Sequence, residues 1–227
     1  MTRFGIIISD KRIQIIDSYR QLIYDKSVDS TMPLNKRVIC SPNNAYELFC
    51  CIFRENLPFS KRLLNQKQIF ITVNPIEAET DCLYTKYIFK RMKWRYTPIL
   101  VPFALASLIG LDENPNGLRL IIDIDEKDCY ISFFNDIDLL TFKESNLDIN
   151  NIVLTVNSII KSNNNINKLQ ITLIGRNEKL AHYHMILKKS LQHTINLYFN
   201  PQYATINGLN KIMKHHELYS SNLSDDR

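Results

Sequence analysis

Asp123, Asp125, Glu126 and Asp128 crowd four carboxylates into one short stretch, and oxygen ligands of this kind hold hard divalent cations. The stretch carries no glycine to let the backbone wrap an ion, and it lies between the apolar runs 118–124 and 130–134. A solvated turn between two strands therefore explains it better than a metal loop, and no metal is assigned. Lys86, Lys90, Arg91, Lys93, Trp94 and Arg95 gather cations around an aromatic, a composition that suits a nucleic acid or another anionic surface. The basic last turn of a helix accounts for the same residues and is preferred. His182, His184, His193, His215 and His216 have no cysteine or carboxylate companions at ligand spacing, and His182 and His184 point to different faces of a helix. The five cysteines, Cys40, Cys50, Cys51, Cys82 and Cys129, contain no Cys-x-x-Cys pair, so reduced thiols are expected rather than a zinc site. No Gly-x-Ser-x-Gly and no Cys/His arrangement marks a nucleophile. The residues themselves assign no catalytic group.

Composition narrows the choice further. The 227 residues are 45 % hydrophobic and 22 % charged, ordinary for a globular chain able to bury a core. A net charge of +5 permits an acidic partner but demands none. Only five glycines are present, Gly5, Gly110, Gly117, Gly175 and Gly208, and phosphate cradles need glycine for close backbone approach. The apolar run Ile6-Ile7-Ile8 is too short for a signal-peptide core, and the run 99–111 is too short to span a bilayer. A cytoplasmic protein is expected.

Positioning these residues takes two similar sets of elements. Residues 4–8, 12–16 and 21–24 read as a β-meander, and a helix follows from Pro42, with Ser41 as its N-cap. Strand 69–73, helix 77–92, strand 99–101 and an apolar helix 102–109 complete a parallel α/β element. A second meander covers 118–124, 130–134 and 137–141. Residues 145–151 are read as an inter-domain connection, followed by helix 152–161, strand 169–174, a helix within 179–192, strand 195–199 and a last helix 203–213. The predicted organisation is a first subdomain over residues 1–144, with the second meander starting at about 118. A second subdomain covers 145–220, and a disordered tail 221–227. The topology is duplicated although no sequence repeat is visible.

This plan resembles the actin-like ATPase superfamily, with the MreB and PilM families nearest. The hairpin from Phe4 ends in Lys26-Ser27-Val28, where the superfamily has its first phosphate hairpin. Ile69-Phe70-Ile71-Thr72-Val73-Asn74-Pro75 is similar to its strand-then-Pro element. The segment from Pro102 through Ala104 and Ala106 to Ile109-Gly110 is similar to its connecting helix. Leu120-Ile121-Ile122-Asp123-Ile124 resembles the second phosphate strand, and Ile171-Thr172-Leu173-Ile174-Gly175 the adenosine strand. Asn200-Pro201 with residues 204–208 resembles the closing helix. The resemblance implies an α/β fold with a duplicated, ribonuclease H-like core.

The chemistry departs from that pattern. Alignment back from Ser27-Val28 puts Ile6 where the first Asp-x-Gly-Thr has its aspartate, Ile8 at the glycine and Ser9 at the threonine; a shift recruits Asp10 without a glycine. The second motif, Asp-x-Gly-Gly-Gly-Thr, reads Asp123-Ile124-Asp125-Glu126-Lys127-Asp128, and the adenosine glycines read Gly175-Arg176-Asn177. Ser9, Asp10, Asp123, Asp125, Gly175 and Gly208 are thus vestigial nucleotide positions, and no cofactor is expected. The outer subdomains IB and IIB are expected to be missing or vestigial, because residues 29–68 and 136–168 are short for them.

The resemblance implies a pseudo-ATPase, not an enzyme, acting as scaffold or adaptor in a bacterial membrane-associated assembly for cell shape, division, pilus or secretion. It would be cytoplasmic or peripheral at the inner membrane, free to oligomerise, with nucleic acid an unfavoured partner. The candidate partner surface is Tyr24, Phe53, Arg54, Phe59, Lys61, Lys90, Arg91 and Trp94. Two alternatives stand beside it: a nucleotide-binding actin-like ATPase using Asp123, and a small basic nucleic-acid-binding α/β protein using residues 86–95.

Overall fold

The computed structural model describes residues 2–9, 12–19, 21–27, 34–35, 38–39, 42–56, 67–75, 79–92, 98–111, 115–163, 169–191 and 193–222. The chain forms two compact units, residues 1–106 with 208–227, and residues 107–207.

In the first unit β1 (Thr2–Ile8), β2 (Arg12–Asp17) and β3 (Leu22–Ser27) form the expected meander. The two-residue strands β4 (Leu34–Asn35) and β5 (Val38–Ile39) pair with each other, and α1 (Pro42–Asn56) follows. Next come β6 (Lys67–Val73), α2 (Glu79–Arg91), β7 (Ile99–Pro102) and α3 (Phe103–Gly110). The sheet order is β3-β2-β1-β6-β7, with β6 and β7 parallel to β1. Alternation along the strands sends Phe4, Ile6, Ile8, Ile13, Ile15, Ile69 and Ile71 to one face. There they pack with Ala45, Phe49, Ile52 and Phe53 of α1 and with Ile88 and Phe89 of α2. Those α1 positions are spaced i, i+4, i+7, i+8, the stripe of a helix lying on a sheet. Phe53 meets Phe4 edge-on at 5.9 Å, and Phe49 meets Phe89 at 5.0 Å.

The opposite face of this sheet is held by the returning C-terminal segment. Leu209 sits so close over Gly5 that a Cβ there would lie 2.8 Å from its Cδ2. Asn210 Nδ2 donates to the Asp17 carbonyl at 3.4 Å, and the Arg3 guanidinium donates to the Met213 carbonyl.

The second unit repeats the plan. Its strands are β8 (Leu118–Ile124), β9 (Asp128–Asn135) and β10 (Asp138–Asn146), then β11 (Gln170–Gly175) and β12 (Ile195–Leu197), in the order β10-β9-β8-β11-β12. The helices α4 (Ile149–Lys161) and α5 (Leu180–Ser190) cover the face built from Leu120, Ile122, Ile124, Ile131, Phe133, Ile171 and Leu173. A 3-10 turn Pro201–Tyr203 leads into α6 (Ala204–Lys214), and a 3-10 helix His216–Asn222 follows. Matching the two sheets strand for strand gives the duplicated α/β architecture read from the sequence.

Three boundaries are corrected. Residues 145–151 are not a connection, because β10 stays paired with β9 as far as Asn146 opposite Asp128, and α4 begins at Ile149. The far half of β10 is polar and alternates in burial, so its strand signal fades in sequence. The division between units falls inside α3 and α6 rather than near residue 145, and the second meander belongs wholly to the second unit. α3 is buried on every side and carries no breaker before Gly110, so its sequence gives no sign of a boundary. The tail expected to be disordered from 221 is helical as far as Asn222. The span 136–168 is spent on β10 and α4, and 29–68 on the β4–β5 pair, α1 and the start of β6, with no layer outside these elements among the described residues.

Candidate functional site

Ser9 and Asp125, two of the positions read from sequence as vestigial nucleotide sites, lie at the first turn of each meander, and both turns are built alike. Ser9 N–H donates to the Arg12 carbonyl at 2.9 Å, and Asp125 N–H to the Asp128 carbonyl at 3.0 Å. Ile8 pairs with Ile13 in one hairpin and Ile124 with Cys129 in the other. Equal turns fix the correspondence between the two halves: Ile124 matches Ile8, Asp125 matches Ser9, and Asp123 matches Ile7. Ile6 was expected at the aspartate position, but it faces the helix-covered core with Phe4 and Ile8. Ile7 lies on the other face, as Asp123 does, so the side chain in place of that aspartate is the methyl-branched Ile7. The sequence alignment missed this by one residue, which in a strand reverses the face.

In the second unit the structure brings Asp125, Gly175 and Asn177 together where β8 and β11 end. Asp125 is 2 % exposed, and its Oδ1 accepts the N–H of Glu126 at 3.0 Å. Gly175 has φ +130° and pairs with Ile124; a Cβ there would overlap the Ile124 carbonyl oxygen and lie 2.6 Å from its carbon. Only glycine lets β11 end this close to β8. The Ile124 carbonyl then accepts the N–H groups of Arg176 at 3.1 Å and Asn177 at 3.2 Å. Asn177, read from sequence only as a replaced glycine, ties the two turns. Its Nδ2 donates to the Asp125 carbonyl at 3.0 Å, and its Oδ1 accepts from Lys179 N–H at 2.9 Å. Asp123 is 5 % exposed, on the β8 face opposite the helix-covered one.

In the first unit Ser9 is buried, and its Oγ donates to the Arg12 carbonyl at 3.2 Å. Arg12 in turn pairs with Asp25 of β3, where Gln14 Nε2 also donates at 3.1 Å. Gly208 is a buried residue of α6. Asp10 lies outside the described residues.

The residues of the expected partner surface differ in their exposure. Phe53 is 6 % exposed and packs in the core, so it is withdrawn as a surface residue. Arg54 is exposed at the end of α1. Tyr24 is half-buried on β3; burial pushes its hydroxyl pKa up, helped by nearby Cys51 and Glu55. Arg91 is exposed but already engaged: its guanidinium donates to Asn43 Oδ1 at 3.0 Å and stacks 4.4 Å over Tyr46. Lys90 is exposed, while Phe59, Lys61 and Trp94 lie outside the described residues. What sequence reading missed is the rest of this helix face. Leu83, Tyr84 and Tyr87 of α2 are 56 %, 47 % and 54 % exposed, and spacings of three and four make them one strip running to Lys90. The exclusion of an all-apolar core helix could not be made from periodicity, because α2 also buries Ile88 and Phe89.

Among the described residues no group of three or more His, Cys, Asp or Glu could hold a metal ion, and no helix is long and apolar enough to cross a membrane.

No protein-family model matches the sequence, and no curated protein matches it. Solved structures do. MreB5 of Spiroplasma citri bound to AMPPNP superposes with a TM-score of 0.81 at 11 % identity, covering 97 % of this chain and 98 % of that one. The ethanolamine utilization protein EutJ from Carboxydothermus hydrogenoformans gives 0.66 at 13 %, covering 92 % and 89 %. MamK in a double helical filament gives 0.69 at 9 %, covering 94 % and 99 %. With the duplicated sheets and their matching hairpins, these likenesses establish that the chain has the actin-like ATPase fold.

Proposed function

We propose that the chain is a non-catalytic scaffold of actin-like fold, whose work is done by its surfaces within a bacterial membrane-associated assembly of the cell-shape, division, pilus or secretion kind. The observation that carries this reading is the Asp125 turn. A phosphate cradle offers bare backbone N–H groups to an anion. Here the N–H of Asp125 is taken by the Asp128 carbonyl, and that of Glu126 by the Asp125 carboxylate. The Asp125 carboxyl group thus takes an N–H that a phosphate cradle leaves bare, and Ile7 stands at the position matching Asp123 in the other half. The residues present do not fit a nucleotide triphosphate with its metal. Isothermal titration calorimetry with ATP and magnesium is expected to give no heat of binding; a dissociation constant in the micromolar range, about −8 kcal/mol, would overturn the reading.

The surface proposed for partner binding is the α2 strip of Leu83, Tyr84, Tyr87 and Lys90. An exposed apolar strip of this kind marks an interaction site. The last turn of α2 is basic, with Lys90 and Arg91. Two copies laid antiparallel place the apolar residues at the two-fold axis and hold the basic ends of α2 apart. Such an isologous contact closes at two copies and does not propagate a filament.

A further inference from the structure

The second unit holds a cavity of about 330 Å³ lined by Asn157, Ile160, Lys161, Ser190 and His193. Its volume falls at the small end of ligand pockets. It lies between the last turns of α4 and α5, each of which runs back to the start of a parallel strand. The cavity therefore faces the start of β11 and β12, at the opposite end of the sheet from the Asp125 and Gly175 turns.

The lining is rich in donors. Lys161 offers an ammonium, Asn157 an amide, Ser190 a hydroxyl and His193 a ring N–H, and among the described residues no carboxylate lines the cavity. The negative end of α4 does not consume them. Its carbonyls are covered by its own cap: Ser162 Oγ donates to Ser158 and Ile159 at 3.0 Å each, and Asn163 Nδ2 donates to Ile159 at 2.7 Å. Lys188 and Lys189, in the last turn of α5, are not among its lining residues. On the strand side, His184 is held by the Ile195 carbonyl at 2.9 Å, which fixes α5 against β12 and keeps the walls in place. Among the described residues Lys161 and His193 have no ion-pair or hydrogen-bond partner. A pocket with this donor set is complementary to a compact, oxygen-rich anion, and charge-assisted bonds to such an anion are the strong ones.

We infer that this cavity binds a small phosphate-bearing molecule, with Lys161 and His193 as its principal ligands and Asn157 and Ser190 completing the donor set. Ile160 supplies one apolar wall, so a phosphate ester with a short carbon chain fills the site better than the bare ion. This site is independent of the Asp125 turn, and it stands whether or not that turn binds nucleotide.

The full chain is titrated with inorganic phosphate and with glycerol phosphate while the histidine ring signals are followed by NMR. The expected result is a saturable shift of His193 with tighter binding of the ester, while His182 and His215 stay unmoved. Lys161→Met and His193→Gln are each expected to weaken binding by at least about tenfold, with an unchanged unfolding midpoint. No saturation overturns the inference, and so does equal movement of all histidines, or binding undiminished in both variants. Lys188→Gln, outside the cavity, serves as the control; an effect as large as that of Lys161→Met would place the anion on the open surface and refute the site.

Discussion

Gly175→Ala tests whether the glycine kept at the adenosine position is there for packing rather than for nucleotide. Two separable costs arise at Gly175. Its φ of +130° is a conformation that alanine adopts only under strain, and a left-handed residue costs about 1–2 kcal/mol. The new Cβ would also overlap the Ile124 backbone, which must move away together with the bonds it receives from Arg176 and Asn177. Overpacking against atoms that cannot step aside costs roughly 1–3 kcal/mol more. Gly117 isolates the first cost. It has φ +91°, and nothing lies within 4 Å of a Cβ built there. The expected losses are therefore about 1–2 kcal/mol for Gly117→Ala and about 2–5 kcal/mol for Gly175→Ala. At roughly 2–4 °C per kcal/mol for a chain of this size, the second midpoint falls on the order of 10 °C, the first only a few degrees. Calorimetry and circular dichroism on the two variants and the parent measure both. Equal, small shifts for the two alanines would refute the close approach of β11 to Ile124 and, with it, the structural reason for keeping Gly175.

Replacing Leu83 and Tyr87 by aspartate should abolish a concentration-dependent dimer in sedimentation velocity without lowering the thermal midpoint, since both residues are exposed. One helix pair buries a small interface, so the parent dimer is expected to be weak, and a parent that stays monomeric at hundreds of micromolar, on the order of weak interfaces, removes α2 as a self-association face. The Cys51 thiol donates to Glu55 Oε1 at 3.0 Å; that bond, with burial and the Glu55 charge, raises the thiol pKa. Less thiolate forms at mild alkaline pH, so Glu55→Ala should speed alkylation of Cys51 several-fold by peptide mapping, and equal rates would deny the interaction.

The sequence by itself determined the elements and their order. Alternating apolar residues in 4–8 and 118–124, the helical stripe after Pro42, and the repeated meander-then-α/β order were legible because they are local periodicities. The replacement of three glycines after Asp123 was equally plain, since residue type at a turn needs no coordinates. What lay beyond reach depends on pairing and packing between distant segments. The match of Ile7 to Asp123 follows from turn length and hairpin register, and a slip of one residue exchanges the faces of a strand. Phe53 and Tyr87 both sit on apolar helix stripes; only the sheet beneath decides that Phe53 is buried and Tyr87 is exposed. The division of the chain inside α3, and the meeting of Asp125 with Asn177 across fifty-odd positions of chain, arise because parallel strands pair across long connections. A local pattern fixes which face of an element is apolar. Which partner covers that face is set by long-range contacts, and those exist only in the folded chain.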